Sequence, residues 1–133
     1  MATKILDSYA IIAFLEDEPG ADVVRNLILK AEEGKVKLAM SVVNLGEVWY
    51  AIARTSSPET ADRYVQEIQG MAIEIADVNW ILARQAAAYK ANGKISYADC
   101  FVAALAKIRE GEVVTGDTEF QALENEVQIL WLK

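Results

Sequence analysis

Thr3-Lys4-Ile5-Leu6-Asp7-Ser8-Tyr9-Ala10-Ile11-Ile12-Ala13-Phe14-Leu15 is the stretch that decides the fold. A short apolar run ends on an acid, and a helical pattern starts at once. The pattern predicts a strand whose C-terminal mouth carries the Asp7 carboxylate. In open α/β sheets ligands bind at that mouth, because strand ends and helix N-termini converge there on one crevice. Asp7 equally suits a helix N-cap, accepting hydrogen bonds from the first free backbone N–H groups. On this stretch alone both roles stay open.

Outward from it, short apolar runs alternate with longer helical ones. Glu18-Pro19-Gly20-Ala21 breaks the chain, with Pro19 suited to the first turn of a second helix that carries Val23, Val24, Leu27 and Ile28 and closes near Gly34. Val36 to Met40 reads as a strand, and Ser41 caps a helix through Arg54. Thr55 to Glu59 is a polar break that opens a helix to about Gln69. Ile73 to Ala76 alternates like a strand, a helix follows from Asp77 to Ala91, and Asn92-Gly93-Lys94 ends it. Ser96 begins the next helix, which Gly111 stops. Glu112 to Thr115 is a fourth strand, Gly116-Asp117 a tight turn, Thr118 to Leu123 a short helix and Val127 to Leu130 a fifth strand. Five short strands separated by helices imply a parallel sheet covered by helices on both faces.

The chain has 133 residues, 53% of them hydrophobic, which suits one domain over residues 1–133 with a proper core. No apolar run approaches the roughly 20 residues needed to span a bilayer, and no signal peptide precedes the first strand. A soluble, cytoplasmic protein with no membrane association is expected. Cys100 reads as a buried thiol and no disulfide framework exists.

There is no histidine. That removes Ser-His-Asp and Cys-His catalysis, His-containing zinc sites and imidazole bases. Any catalysis falls to carboxylates. The 20 Asp and Glu outnumber the 13 Lys and Arg, for a net charge of −7, which disfavours nucleic-acid binding through a broad basic face.

Three further acids stand out beside Asp7. A helical wheel puts Leu45, Val48, Trp49 and Ile52 on one apolar face and Glu47 opposite, with Asn44, Ala51 and Arg54. Glu47 is therefore either a solvated glutamate or a site residue. Asp99 follows Ser96 at capping-box spacing. It points away from a buried stripe of Phe101, Leu105 and Ile108, beside Ala103 and Ala106, which leave room for a carboxylate or merely favour helix. Asp117 repeats the placement of Asp7 after a strand, or is simply a turn aspartate. Two acids at strand mouths and two near helix starts can converge on one end of a parallel sheet, which capping alone does not predict.

Ile5-Leu6-Asp7-Ser8, Asn44-Leu45-Gly46-Glu47-Val48, Ser96-Tyr97-Ala98-Asp99 with Ala103-Ala104-Leu105-Ala106, and Val114-Thr115-Gly116-Asp117-Thr118-Glu119-Phe120 together resemble the four signatures of PIN-domain ribonucleases. The branch they resemble is the VapC-type toxins of toxin–antitoxin pairs, and the resemblance runs the whole chain in order. It implies a three-layer α/β/α sandwich with a five-stranded parallel sheet, whose acidic pocket holds Mg²⁺ or Mn²⁺ and cleaves single-stranded RNA. It carries the family's acids onto Asp7, Glu47, Asp99 and Asp117, its hydroxyl residue onto Thr115, and a less regular acidic position onto Glu119. It further implies a small cognate antitoxin and a homodimer. Tyr9 departs from the pattern, where a small polar residue is more usual.

The chemistry of the residues agrees. An oxygen-only donor set selects hard cations, Mg²⁺ or Mn²⁺ over zinc. Asp7, Asp99 and Asp117 are assigned to metal coordination, and Glu47 to a ligand or a base that positions the attacking water. Without these four acids −7 becomes −3, within reach of local cations. Arg54, Lys90 and Lys94 are the candidates for phosphate contacts. Crowded carboxylates should repel one another and raise at least one pKa. Two other classes are weighed. A haloacid-dehalogenase-type phosphatase needs a second Asp where Tyr9 stands. A catalytically silent PIN-like module that binds RNA or protein is the alternative, since fold does not guarantee activity. The aromatic residues Trp49, Tyr50 and Trp80 are expected in the core more often than at an interface.

Overall fold

The computed structural model describes residues 1–132. Five strands, β1 (Thr3–Leu6), β2 (Lys37–Ser41), β3 (Glu74–Ala76), β4 (Glu112–Thr115) and β5 (Gln128–Trp131), form one parallel sheet in the order β3-β2-β1-β4-β5. Neighbouring residues in the central strands bury opposite faces. Ile5, Ala39 and Val113 belong to one cluster, and Leu6, Met40 and Val114 to the other. Burial on both faces is why these strands read as continuous apolar runs instead of alternating ones.

Helices α1 (Ser8–Leu15), α2 (Ala21–Glu32), α3 (Val42–Thr55) and α4 (Pro58–Gln69) build the Leu6 side, through residues such as Ile11, Val24, Val48 and Ile68. Helices α5 (Trp80–Ala91) and α6 (Tyr97–Arg109) cover the Ile5 side with a 3-10 helix over Thr118–Leu123. The expected three-layer α/β/α arrangement is present. From β1 the chain steps outward through β2 to β3, then returns to lay β4 on the other side of β1. The direction of winding therefore reverses between β1 and β4. In such sheets this switch point opens the crevice at the C-terminal strand ends.

Several local expectations are corrected. Helix α2 begins at Ala21, so Pro19 lies before it. Gly20 at φ 98° turns the chain into the helix, a left-handed conformation that glycine adopts without penalty. Helix α5 starts at Trp80 and not Asp77, because the Asn79 side chain accepts from Leu82 N at 2.9 Å and fixes the start there. Trp80 and Ile81 are then mostly exposed, at 73% and 68%. Trp49 and Tyr50 are also exposed, contrary to the core expectation. In α6 the buried set is not the narrow stripe expected. Every residue from Asp99 to Ala106 is buried while Ile108 is exposed, because this helix is wedged against the sheet, α3 and α5. Among the described residues no helix is long and apolar enough to cross a membrane.

Candidate metal centre

β1 runs out at Leu6 and α1 begins at Ser8, so Asp7 stands between them with extended backbone. Its Oδ1 accepts from Ala10 N at 2.8 Å, the N-cap bond. The other oxygen, Oδ2, accepts the Thr115 hydroxyl from the end of β4. Thr115 Oγ1 accepts in turn from Asp117 N at 2.9 Å. One hydroxyl thus ties the acid after β1 to the acid after β4 across the switch point. Capping and site geometry are compatible in Asp7, since the two oxygens do different things.

Asp117 caps the 3-10 helix through Glu119 N at 2.9 Å. That turn brings Glu119 back beside it, and carboxylate oxygens of Asp99, Asp117 and Glu119 all lie within 4.8 Å of one another. Asp99 reaches them from the first turn of α6, where Ser96 Oγ accepts from Asp99 N at 3.2 Å. The helix wheel sent Asp99 away from the core. It is instead 7% exposed, because the side away from Phe101 also has neighbours.

Glu47 belongs to the same neighbourhood and its charge is felt by Asp99. Its carboxylate accepts from Asn44 Nδ2 at 2.9 Å, and the same amide donates to Ala98 O on α6 at 3.1 Å. Asn44 is wholly buried. The face of α3 read as solvent-facing is, at this end, its contact with α6. Asn44 is the residue the sequence reading missed. Its signal was available, an amide in an apolar helix one turn before a candidate acid. Asn44 Oδ1 has no partner, a buried acceptor left open next to the acids.

Among the described residues no Lys or Arg forms a salt bridge to Asp7, Glu47, Asp99, Asp117 or Glu119. Burial pushes Asp7 from 3.8 to about 7, against the lowering effect of its bonds from Thr115 and Ala10, with repulsion from Asp99 and Asp117 adding less. Burial likewise pushes Asp99 to about 7, with Asp117, Glu47 and Glu119 contributing repulsion. The raised values match expectation, but the leading cause is loss of water and not mutual repulsion.

The donor set fits a hard divalent cation. It is all carboxylate, free of imidazole and thiolate, and among the described residues no salt bridge offsets its negative charge. Cys100 is buried, with its thiol pushed up by burial. The candidate cations fare differently. Arg54 lies over the Tyr50 ring at 4.8 Å, on the surface of α3. Lys90 Nζ donates to Ile95 O at 2.9 Å and so ties down the loop entering α6, while Lys94 is exposed in that loop. The Tyr9 ring lies on the backbone of Gly116, where an added Cβ would stand 2.3 Å from ring carbon Cε1.

A family model for the PIN domain matches residues 4–126. The chain belongs to the PIN-domain family. Comparison with curated proteins by sequence finds no match. Among solved structures, the PIN fold of this chain is similar to VapBC2 from Rickettsia felis bound to a promoter DNA fragment, at TM-score 0.75 and 17% identity over 96% of this chain and 97% of that one. It is equally similar to DNA-bound VapBC from Salmonella typhimurium, at TM-score 0.75 and 18% identity over the full length of both. VapC20 from Mycobacterium tuberculosis, a toxin that cleaves the sarcin–ricin loop, aligns at TM-score 0.68 and 17% identity, over 90% and 93%. At these identities the likeness is one of fold.

Proposed function

We propose that this single PIN domain is a metal-dependent endoribonuclease that cleaves single-stranded RNA, the VapC-type toxin of a toxin–antitoxin pair. The observation that carries the reading is the grouping of Asp99, Asp117 and Glu119 at the switch point, with Asp7 near enough to feel Asp99 and Asp117, and with no salt bridge to any of them among the described residues. Ionising the buried Asp7 and Asp99 beside Asp117 and Glu119 costs stability, and a bound cation is the simplest thing that offsets it.

Asp7, Asp99 and Asp117 would hold Mg²⁺ or Mn²⁺, which when bound supplies charge neutralisation at the phosphate and lowers the pKa of water. The protein's own part is positioning. Thr115 and Ala10 N fix the two oxygens of Asp7. Asn44 holds one oxygen of Glu47, leaving the other to take a proton from the attacking water. The oxygen of that water bonds to phosphorus as the P–O bond to the leaving ribose breaks. Raised pKa values on Asp7 and Asp99 mean that metal binding releases protons near neutral pH.

The fold likeness to VapBC proteins and to a toxin–antitoxin complex from Klebsiella pneumoniae supports a small antitoxin as partner, able to silence the site by setting a cation among the acids; a homodimer is proposed on the sequence resemblance alone. Arg54, Lys90 and Lys94 would meet RNA phosphates, and the cytoplasm is where RNA and antitoxin meet it. The test is cleavage of a mixed single-stranded RNA with Mn²⁺, with EDTA, and by an Asp99→Asn protein. Cleavage by the unsubstituted chain with Mn²⁺ alone is expected. Full activity in EDTA or in Asp99→Asn overturns the reading.

A further inference from the structure

We propose that the cavity of about 270 Å³ lined by Gly116, Thr118, Gln121 and Trp131 holds one nucleobase of the RNA beside the cut phosphate. The inference rests on the nuclease reading and adds a base-binding subsite to it.

Position comes first. Gly116 and Thr118 flank Asp117, so the cavity opens one residue from the acid cluster. Trp131 is the register partner of Thr115, which holds Asp7, and Leu132 N donates to Thr115 O at 3.0 Å just beyond. The aromatic wall and the acids are thus fixed to the same two strand ends. A nucleotide whose phosphate sits at the acids has its base within reach of this cavity, since base and phosphate are joined through one ribose.

Chemistry points the same way. None of the four lining residues is ionisable, in a chain of net charge −7. The larger cavity that Trp131 also lines, about 430 Å³, carries Glu124 and Glu126 beside Glu112, which Lys4 pairs, and would repel a polyanion. Trp131 therefore lines both a neutral recess and an acidic one. A partly buried indole offers a face for stacking, which is tolerant of sequence and is the usual way proteins hold single-stranded RNA. Gln121 adds a donor and an acceptor, and Thr118 a hydroxyl, for reading a base edge. Phosphate contacts alone bind weakly to an acidic protein, whereas stacking does not depend on net charge.

The experiment uses the full chain. With Trp49→Phe, Trp80→Phe and Asp99→Asn, Trp131 is the only tryptophan left of three and the RNA is not cut. Single-stranded RNA oligomers should quench Trp131 saturably, and an oligomer of the same length made entirely of abasic residues should not. In the otherwise unsubstituted enzyme, Trp131→Leu should raise KM by roughly tenfold with little change in kcat. Gln121→Ala, at an exposed position that does not threaten the fold, should flatten the base preference next to the cut. The proposal is overturned by RNA that is cleaved without quenching Trp131, by cleavage with no base preference, or by a preference that Gln121→Ala and Trp131→Leu both leave unchanged. If the unsubstituted chain cleaves no RNA with Mn²⁺, the nuclease reading itself fails and takes the subsite with it.

Discussion

The two ends of the sheet treat charge in opposite ways. At the N-terminal ends of the strands, Lys4 of β1 meets Glu112 of β4 at 2.5 Å, and Arg109, just before β4, forms a two-pronged pair with Glu74 of β3 at 2.9 and 2.7 Å. These charges are paired at the surface, and the Glu74 carboxyl is held below its usual range by Arg109. At the C-terminal ends, Asp7 and Asp99 are buried among other acids and share no cation. At the first end these two acids find their cations within the chain. At the other, among the described residues, no salt bridge offsets the acids, and burial, more than repulsion, raises the Asp7 and Asp99 carboxyls.

The largest effect expected from breaking this contrast is on activity. Asp7→Asn, Asp99→Asn and Asp117→Asn should each lower Mn²⁺-dependent RNA cleavage by roughly 10²-fold or more, because groups that act as a unit fail together. Asn at position 7 keeps the N-cap bond, so circular dichroism should show an intact fold. A folded Asp7→Asn protein with normal turnover would remove Asp7 from the site.

Next in size is the wall of the crevice. A Cβ at position 116 would stand 2.3 and 2.7 Å from two carbons of the Tyr9 ring, so Gly116→Ala should destabilise by about 1–3 kcal/mol, measured by urea unfolding. Tyr9→Ser in the same chain should recover most of that loss. If the double variant is as unstable as Gly116→Ala alone, the tyrosine is not what excludes a side chain there.

pH sharpens the comparison further. Asp7 and Asp99 ionise at 3.8 in the unfolded chain but near 7 in the fold. Between those values the unfolded chain has given up protons that the fold still holds, so metal-free stability should fall as pH rises from about 4 to about 7 and then level off. Asp99 keeps some contact with solvent, which reduces its share. Asp99→Asn should nonetheless gain about 1 kcal/mol over the unsubstituted protein at pH 7.5 in EDTA, roughly 4 °C in Tm, and nothing at pH 4. Mn²⁺ should raise the unsubstituted protein's Tm at pH 7.5 by binding the fold alone. A thermal midpoint that is flat from pH 4 to pH 7.5 in EDTA would contradict the buried acids.

The smallest effect belongs to the paired end. Arg109→Ala breaks an exposed ion pair and should cost no more than about 1 kcal/mol, with RNA cleavage unchanged. A large loss of activity there would show that the two ends are coupled.

The sequence by itself determined the element order and the parallel sheet, and marked the acids as candidates, because each leaves a local mark. Apolar runs of four or five residues, capping residues such as Ser41 and Ser96, and an acid directly after a strand are all legible without neighbours. What lay beyond it was anything set by a second element. The wheel of α3 could not show that Asn44 faces α6, nor that of α6 that Asp99 is enclosed on its alanine side, since periodicity reports one buried face and these helices have two. Chain order likewise put Asp7 and Asp117 far apart, and only the winding of β4 back beside β1 let Thr115 bond both. The pKa values followed the same rule. Repulsion could be guessed from the list of acids, but the burial that dominates is a property of the packed structure.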